Sequence, residues 1–160
     1  NRYEQHFEYM FVFSKSKIKT FNPIKTSKKW KDSRKKKQIR RNHNNTIDYG
    51  YAKQSIDKII GNVWSYDVGR LPSVTKDDIA YEHPAIFPEQ LVKDHIISWS
   101  NEGDLVLDPF AGSGTTLKMA KLLRRNYIGI EISEKYCEII KKRLDKYDNQ
   151  SLEAFNGVEK

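Results

Sequence analysis

The segment LVLDPFAGSGTT, residues 105–116, joins an apolar run, an acid and a glycine-rich turn within twelve positions. The apolar run predicts a buried strand, and Asp108 falls at its carboxyl end, where open α/β sheets bind ligands. Gly112 and Gly114 allow the backbone to turn sharply and to approach a ligand closely. The amides of residues 113–116 then begin a helix, whose N-terminus favours an anionic group. The segment therefore predicts a ligand site at the end of a strand.

A second apolar run, YIGIE at residues 127–131, also ends in an acid, Glu131. In Rossmann-like units an acid about 20 residues beyond the first turn accepts hydrogen bonds from ribose hydroxyls. The dinucleotide fingerprint is incomplete, because its third glycine would fall at Leu117, and no Gly-Lys-Ser/Thr follows as in a P-loop. The pattern predicts a ligand with a ribose and no pyrophosphate. A tight turn without a ligand is the alternative.

Regular periodicity begins near residue 83 and predicts alternating helices and strands. The predicted elements are a helix at 88–100, a strand at 105–108, a helix at 114–124, a strand at 127–132 and a helix at 134–146. This β-α-β-α order is typical of a parallel sheet covered by helices, with right-handed crossovers. The predicted fold class is α/β, with part of a Rossmann-like sheet.

The apolar positions of two predicted helices indicate which faces are buried. The helix at 114–124 is expected to bury Leu117, Ala120 and Leu123. The helix at 134–146 is expected to bury Tyr136, Cys137, Ile140 and Leu144 and to place Lys141, Lys142 and Arg143 on its surface. Cations in its C-terminal half would interact favourably with the helix dipole.

Composition limits the class of protein. The chain has 160 residues, and 38% hydrophobic residues are enough to build a core. No apolar run approaches the roughly 18 residues needed to span a bilayer, and the N-terminus lacks the features of a secretory signal. We expect a cytoplasmic protein that does not insert into membranes. The single cysteine and four histidines show no ligand spacing, so no metal site is predicted.

The positive charge is concentrated in one segment. Residues 15–41 hold 13 of the 29 Lys and Arg residues but only one of the 21 acids. Such a run is either a solvated loop or a surface that contacts the phosphate backbone of a nucleic acid. The candidate contact residues are Lys28, Lys29, Arg34, Lys35, Lys36, Lys37, Arg40 and Arg41. Binding through these residues would weaken steeply with salt.

The remaining N-terminal sequence divides into two parts. Residues 7–13, FEYMFVF, form an aromatic and β-branched run that predicts a strand buried on both faces. Residues 14–82 are polar, basic and irregular, with one short helical candidate at 52–60. This second part is typical of a module inserted into a scaffold.

Three motifs together resemble S-adenosylmethionine-dependent DNA amino-methyltransferases, which are specific for adenine N6 or cytosine N4. They are DPFAGSGTT followed by YIGIEISEKY, HPAIFPEQL at 83–91 and RYEQHFEYMFVFSK at 2–15. Their order resembles the permuted subgroup with its cofactor motif C-terminal. The resemblance divides the chain into a core strand at 1–15, a basic target-recognition region at 16–82, a cofactor-binding part at 83–147 and a flexible tail at 148–160.

The resemblance also implies residue roles, with S-adenosylmethionine as cofactor. Asp108 would bind the methionine amino group or its water, residues 112–116 the carboxylate and Glu131 the ribose, while Phe110 and Ile132 would line the adenine pocket. Residues 83–87 would close the methionine end. The complete set implied is His83, Pro84, Phe87, Asp108, Pro109, Phe110, Gly112, Ser113, Gly114, Thr115, Thr116, Glu131 and Ile132.

One motif of this family is missing from the sequence. The catalytic loop of the family reads Asp, Asn or Ser, then Pro-Pro, then an aromatic residue, and no such run is present. The resemblance therefore implies a fragment that is inactive alone, with no catalytic residue of its own. It would be completed by an upstream catalytic half or by a second chain.

The implied activity is site-specific transfer of a methyl group to the exocyclic amino group of a base in double-stranded DNA, with adenine favoured. The enzyme would flip the target base out of the duplex. Cytosine N4 methylation, RNA methylation and DNA binding without catalysis are the alternatives. The basic segment argues against a small-molecule substrate, which would not need it.

Overall fold

The computed structural model describes residues 7–27, 36–41, 43–44, 46–52, 57–68 and 74–148. In these ranges the strands are β1 (Lys25–Ser27), β2 (Lys36–Arg41), β3 (Ile47–Ala52), β4 (Asp57–Ile59), β5 (Leu105–Asp108) and β6 (Asn126–Gly129). The α-helices are α1 (Glu89–Trp99), α2 (Thr115–Leu122) and α3 (Glu134–Asp145), and a 3-10 helix spans Asp78–Glu82.

The C-terminal part is a parallel β-α-β-α unit, as the sequence predicts. β5 and β6 pair in parallel from Leu105 with Asn126 to Asp108 with Gly129. α2 connects the two strands, because a parallel pair requires a crossover rather than a hairpin. β6 ends earlier than predicted, yet the Ile130 amide still donates to the Asp108 carbonyl at 2.9 Å. The carboxyl ends of β5 and β6 therefore meet at the same edge.

The hydrophobic core lies between α1, α2 and one face of this sheet. Its buried members are Val92, Ile96, Met119, Ala120, Leu122, Leu123 and Tyr147, with Val106 and Tyr127 packed against them. The predicted buried face of α2 is confirmed, since Leu117, Ala120 and Leu123 are all buried.

The other face of the sheet is apolar and exposed in the part of the chain that the structure describes. Successive side chains of a strand point to opposite faces, so Val106 faces the core while Leu105 and Leu107 face away. On the neighbouring segment, Ile128 and Ile130 are also exposed. This sheet is thus covered by helices on one side among the described residues.

The face that α3 buries differs from the prediction. Its buried residues are Ile139 and Arg143, which are four positions apart and share one side of the helix. Cys137 and Ile140 are only half-buried. The prediction that Arg143 lies on the surface is wrong: the residue is 1% exposed. A residue-type pattern places arginine outside, but here buried carboxylates and a carbonyl satisfy the guanidinium.

Residues 7–13, predicted to form a buried strand, are exposed and belong to no strand in the part of the chain that the structure describes. Their rings still alternate as in an extended chain, since Phe7 and Tyr9, Tyr9 and Phe11, and Phe11 and Phe13 lie 5.3, 6.2 and 6.2 Å apart. A buried strand needs a neighbour for its backbone groups on each side. The described chain offers this segment no such neighbour.

The basic region contains two antiparallel pairs, β1 with β4 and β2 with β3. They do not match the predicted helix at 52–60, because β3 ends at Ala52 and β4 begins at Asp57. The flanks of the region pack on α1. The Asn22 side-chain amide donates to the Ile97 and Ser100 carbonyls at 3.1 Å each. It thereby satisfies carbonyls at the helix C-terminus that lack partners within the helix.

Gly129 illustrates how tightly α2 packs on β6. A Cβ at this position would lie 2.5 Å from Cδ1 of the buried Leu117 side chain. We expect Gly129→Ala to lower the free energy of unfolding by about 1–3 kcal/mol through overpacking. Urea denaturation followed by circular dichroism measures this change.

The control is Gly61→Ala, because a Cβ at Gly61 meets nothing within 4 Å. We expect that variant to change the free energy of unfolding by less than about 0.5 kcal/mol. Equal midpoints for the two variants would contradict the packing argument.

Among the described residues, every helix is too short or too polar to cross a bilayer.

Candidate functional site

The glycine-rich turn between β5 and α2 has the backbone geometry that its sequence predicts. Gly112 and Gly114 have φ angles of +54° and +80°, in the left-handed region that favours glycine. The Gly114 amide donates to the Ala111 carbonyl at 2.7 Å and closes the turn. The first intrahelical bond of α2 runs from Lys118 to Gly114, so the amides of residues 115–117 have no partner within the helix.

The space beside the two glycines is filled by the protein itself. A Cβ at Gly112 would lie 3.1 Å from Nε2 of His83, and one at Gly114 would lie 2.9 Å from Cγ1 of Ile140. The sequence predicts that both glycines allow a sharp turn and the close approach of a ligand. The positive φ angles agree with the turn, and in the structure Gly114 also lets α3 pack on the turn while Gly112 leaves room for the His83 ring.

Glu131, beyond the end of β6, reaches across to the turn. Its Oε2 accepts a hydrogen bond from the Gly112 amide, and its Oε1 accepts one from the Ser133 amide, both at 2.8 Å. The hydrogen bond from Ser133, followed by that from Gly112, holds the pKa of Glu131 below its usual range. The ionised carboxylate only accepts hydrogen bonds, and it offers about four lone-pair sites, more than the backbone donors of Ser133, Gly112 and Ile132 occupy. The Glu131 carboxylate can therefore accept hydrogen bonds from two neighbouring hydroxyls of a ligand.

The carboxylate of Asp108 lies at the end of β5, as predicted, and is half-buried. Its Oδ1 accepts a hydrogen bond from the Phe110 amide at 3.0 Å, which orders the start of the turn. The side chains of Phe110 and Ile132 are both almost fully exposed. An acid and two exposed apolar side chains therefore lie near the edge where β5 and β6 end.

His83 joins this site from a distant part of the sequence. Its Nδ1 accepts a hydrogen bond from the Ala85 amide at 3.1 Å, and its ring centroid lies 4.4 Å from that of Tyr136. Tyr136, predicted to be a core residue of α3, lies beside His83 instead. The cap by Ser133 places Tyr136 in the first turn of α3, but no local pattern in the sequence pairs it with His83.

The other predicted cofactor residues are divided by exposure. Pro84, Phe87 and Pro109 are exposed, and Thr116 is half-buried. Ser113 and Thr115 are buried, and both hydroxyls contact the guanidinium of Arg143 at 3.2 and 3.3 Å. These two side chains face the protein interior, so any ligand at the turn would meet their backbone groups.

A cluster of four buried charged residues lies directly behind the turn, and sequence reasoning missed it. The cluster comprises Asp77, Glu89, Lys118 and Arg143, each at most 5% exposed. The Lys118 ammonium lies 2.7 Å from a carboxylate oxygen of both Asp77 and Glu89. The Arg143 guanidinium contacts the same two oxygens at 3.3 and 3.0 Å. Two cations thus neutralise two anions away from water.

Further hydrogen bonds complete the buried charge cluster. Asp77 Oδ1 accepts from the Tyr147 hydroxyl at 2.6 Å and from Lys146 at 2.9 Å. Burial alone raises the pKa of Asp77, but the hydrogen bonds from Lys118, Tyr147 and Lys146 outweigh it and hold the pKa well below its usual range. Burial and the hydrogen bond to Asp77 raise the pKa of Tyr147. Asp77 is therefore ionised at neutral pH.

Only a weak signal in the sequence pointed to this cluster. Lys118 falls between two apolar residues of α2, Leu117 and Met119. Asp77 and Arg143 are 66 positions apart, so no local pattern could pair them.

The predicted DNA-contact residues are only partly covered by the structure. Lys28, Lys29, Arg34 and Lys35 lie outside the described residues. The other four, Lys36, Lys37, Arg40 and Arg41, belong to β2. Arg41 is exposed and pairs with Ile47 of β3. The structure thus places half of the predicted set on one two-stranded antiparallel ribbon.

A comparison with protein families identifies the class of protein. The profile described as DNA methylase matches residues 1–142 of the 160-residue chain. The chain therefore belongs to the DNA methylase family. This agrees with the resemblance stated for the motifs at 83–91, 108–116 and 127–136.

Two curated relatives are similar over long segments. The chain is 52% identical over 154 residues to the orphan methyltransferase M.BamHII of Bacillus amyloliquefaciens, covering 92% of this chain and 57% of that protein. It is 43% identical over 104 residues to the DNA adenine methyltransferase YhdJ of Escherichia coli K12, covering 64% of this chain and 34% of that protein. The chain thus spans little more than half the length of the first relative.

Among solved structures, a crystal structure of the M1.HpyAVI–SAM complex matches 40% of this chain and 31% of that chain, at 45% identity and a TM-score of 0.39. The cytosine-N4-specific PvuII DNA methyltransferase matches 53% of this chain and 33% of that chain, at 27% identity and a TM-score of 0.42.

Proposed function

We propose that the edge formed by β5, the glycine-rich turn and Glu131 binds S-adenosylmethionine for a DNA methyltransferase. The observation that carries this proposal is the pair of hydrogen bonds that orient the ionised Glu131 carboxylate beside the turn. The carboxylate accepts hydrogen bonds from ribose hydroxyls, and the turn offers amides at a helix N-terminus to an anion. Membership of the DNA methylase family supports the same assignment.

The residues present fit the three parts of this cofactor. Glu131 would hold the ribose, and the exposed Phe110 and Ile132 would contact the adenine ring. The amides of residues 113–116 would hold the methionine carboxylate, and Asp108 its amino group. His83 and Phe87 would close the methionine end. The cofactor supplies an electrophilic methyl group, and these residues would hold it at the sheet edge.

The direct test is calorimetric titration of the chain with S-adenosylhomocysteine, the demethylated cofactor. We expect saturable binding with one site. Adenosine alone should bind more weakly, because it lacks the carboxylate and the amino group that the turn and Asp108 would hold. The opposite result, a chain with helical circular dichroism that binds neither compound, would overturn the cofactor assignment.

We further propose that the complete protein methylates the exocyclic amino group of a base in double-stranded DNA, adenine being favoured. Adenine is the base named for the relative from E. coli. The Pro-Pro-aromatic run that the resemblance implies for catalysis does not occur in this sequence, so the chain by itself should not methylate DNA. The product of the complete protein distinguishes adenine from cytosine: N6-methyladenine is expected after digestion to nucleosides.

DNA binding is assigned to the basic target-recognition region, 16–82, in which β2 and β3 form an antiparallel ribbon. The major groove of DNA admits a two-stranded ribbon, and the lysines and arginines of the region would neutralise phosphates. The region also carries polar residues that could reach base edges, including Gln38, Asn42 and Asn44.

The salt dependence of DNA binding tests this assignment. We expect the double variant Arg40→Ala, Arg41→Ala to reduce the slope of log K against log salt by about 2, since each phosphate contact contributes about 0.9. Fluorescence anisotropy of a labelled duplex measures the slope. As a control, Lys141→Ala with Lys142→Ala on the exposed side of α3 should leave the slope unchanged. Equal effects would assign the binding to net charge alone.

A further inference from the structure

The carbonyl of Ser113, in the middle of the glycine-rich turn, accepts a hydrogen bond from an arginine that approaches from behind. Nη1 of Arg143 donates to this oxygen at 2.6 Å. The same nitrogen contacts the hydroxyls of Ser113 and Thr115. The guanidinium therefore holds the backbone and both buried side chains of the turn from the side opposite to the proposed ligand.

The buried charge cluster fixes the position of this guanidinium. Nη2 donates to Glu89 at 3.0 Å, and Nε lies 3.3 Å from Asp77. A guanidinium presents its donors in a rigid planar fork, so bonds to two carboxylates leave Nη1 directed at the Ser113 carbonyl. Glu89 begins α1, Asp77 precedes the 3-10 helix and Arg143 lies on α3. Three separate parts of the chain therefore determine the direction in which Nη1 points.

We propose that Arg143 is a positioning residue for the cofactor turn, held in place by Asp77 and Glu89. The inference rests on the proposed cofactor site. The Ser113 carbonyl is buried and requires a donor, and Arg143 supplies it. Without that donor, the peptide would rotate its carbonyl toward water, on the side where the turn offers amides to an anion. The arginine thus keeps the amides, rather than a carbonyl, facing the ligand.

Loss of this support would weaken binding by lowering the fraction of turns in the competent geometry. If that fraction falls to one tenth, the apparent Kd rises about tenfold. The arginine would accomplish this without contacting the cofactor.

The experiment compares Arg143→Lys with Arg125→Lys by calorimetric titration with S-adenosylhomocysteine, below the melting temperature of both variants. Arg125 is a matched control, because its guanidinium also donates to backbone carbonyls, those of Leu123 and Ser100, but beyond the C-terminal end of α2. Both variants keep the positive charge. We expect Arg143→Lys to raise Kd about tenfold, and Arg125→Lys to change it less than about twofold.

A variant without the charge separates binding from stability. Arg143→Met should lower the melting temperature more than Arg143→Lys, because it leaves buried carboxylates with one cation fewer. It should nevertheless raise Kd by a similar factor, since both variants lose the bond to Ser113.

Three results would overturn the proposal. One is an unchanged Kd in a folded Arg143→Lys; another is an equal change in Arg125→Lys. If neither Arg143 variant folds, Glu89→Gln decides, because it weakens the hold on Nη2 while Arg143 remains: we expect Kd to rise about threefold, and an unchanged value would refute the role. Failure of the unsubstituted chain to bind would instead count against the proposed function.

Discussion

Lys118→Met is expected to lower the free energy of unfolding by about 3–5 kcal/mol, the range for removing one partner from a buried ion pair. The Lys118 side chain is fully buried and lies 2.7 Å from carboxylate oxygens of Asp77 and Glu89. Methionine has a similar length and fills the space, but it leaves Arg143 as the buried cation that both carboxylates share, with the exposed Lys146 as a further partner of Asp77. The lower free energy of unfolding is therefore caused by uncompensated buried charge and not by a cavity. Urea denaturation of both chains measures it.

The matched control for this prediction is Lys121→Met, the same substitution on the same helix. Lys121 pairs with the exposed Asp148 and donates to the Leu144 carbonyl at 2.8 Å. An exposed ion pair and one hydrogen bond are worth much less, so we expect a loss of about 1 kcal/mol. If both variants lose the same stability, the buried charge cluster does not stabilise the fold in the way its geometry indicates.

Glu131→Ala is expected to raise the Kd for S-adenosylhomocysteine by about 10- to 100-fold, the value of one charge-assisted hydrogen bond to the ligand. The variant removes the acceptor for ribose hydroxyls and also leaves the Gly112 amide without its partner. The effect should not vary between neutral pH and pH 5, because the Ser133 and Gly112 amides hold the pKa of Glu131 below its usual range. Titration calorimetry of both chains at the two pH values measures the rise in Kd and its dependence on pH.

Glu138→Ala provides the control for charge at the same end of the molecule. Glu138 is exposed on α3 and pairs with Lys141 at 2.7 Å, an interaction that adds little to stability. We expect its Kd to match that of the unsubstituted chain. A folded Glu131→Ala chain that binds with unchanged affinity would remove Glu131 from the site, and with it the main support for a ribose-containing ligand.

The local parts of the site could be read from the sequence because each depends on neighbouring residues. The strand at 105–108, the turn that needs glycine and the acid after the next strand all fall within the 27 residues from 105 to 131. Steric restriction at positive φ and the alternation of apolar residues act over a few residues. The parallel pairing of β5 and β6 followed from those signals.

The predicted strand at 7–13 failed for a different reason. Aromatic and β-branched residues favour an extended chain, and the alternating rings of the segment agree with one. Burial, however, requires other strands on both sides, and sequence composition cannot state whether those strands are present. The prediction of a buried strand is therefore wrong for this segment, because the described residues neither pair with it nor cover it.

By itself, the sequence determined the order of the C-terminal elements, the turn and the two acids, because local sterics and periodicity specify them. Only the tertiary structure decided what lies behind the turn. The pairing of Asp77 and Glu89 with Lys118 and Arg143 depends on contacts between residues as much as 66 positions apart. From sequence, a charged residue is expected on the surface unless its ion-pair partners are known. Those partners are brought together only when α1, α2 and α3 pack.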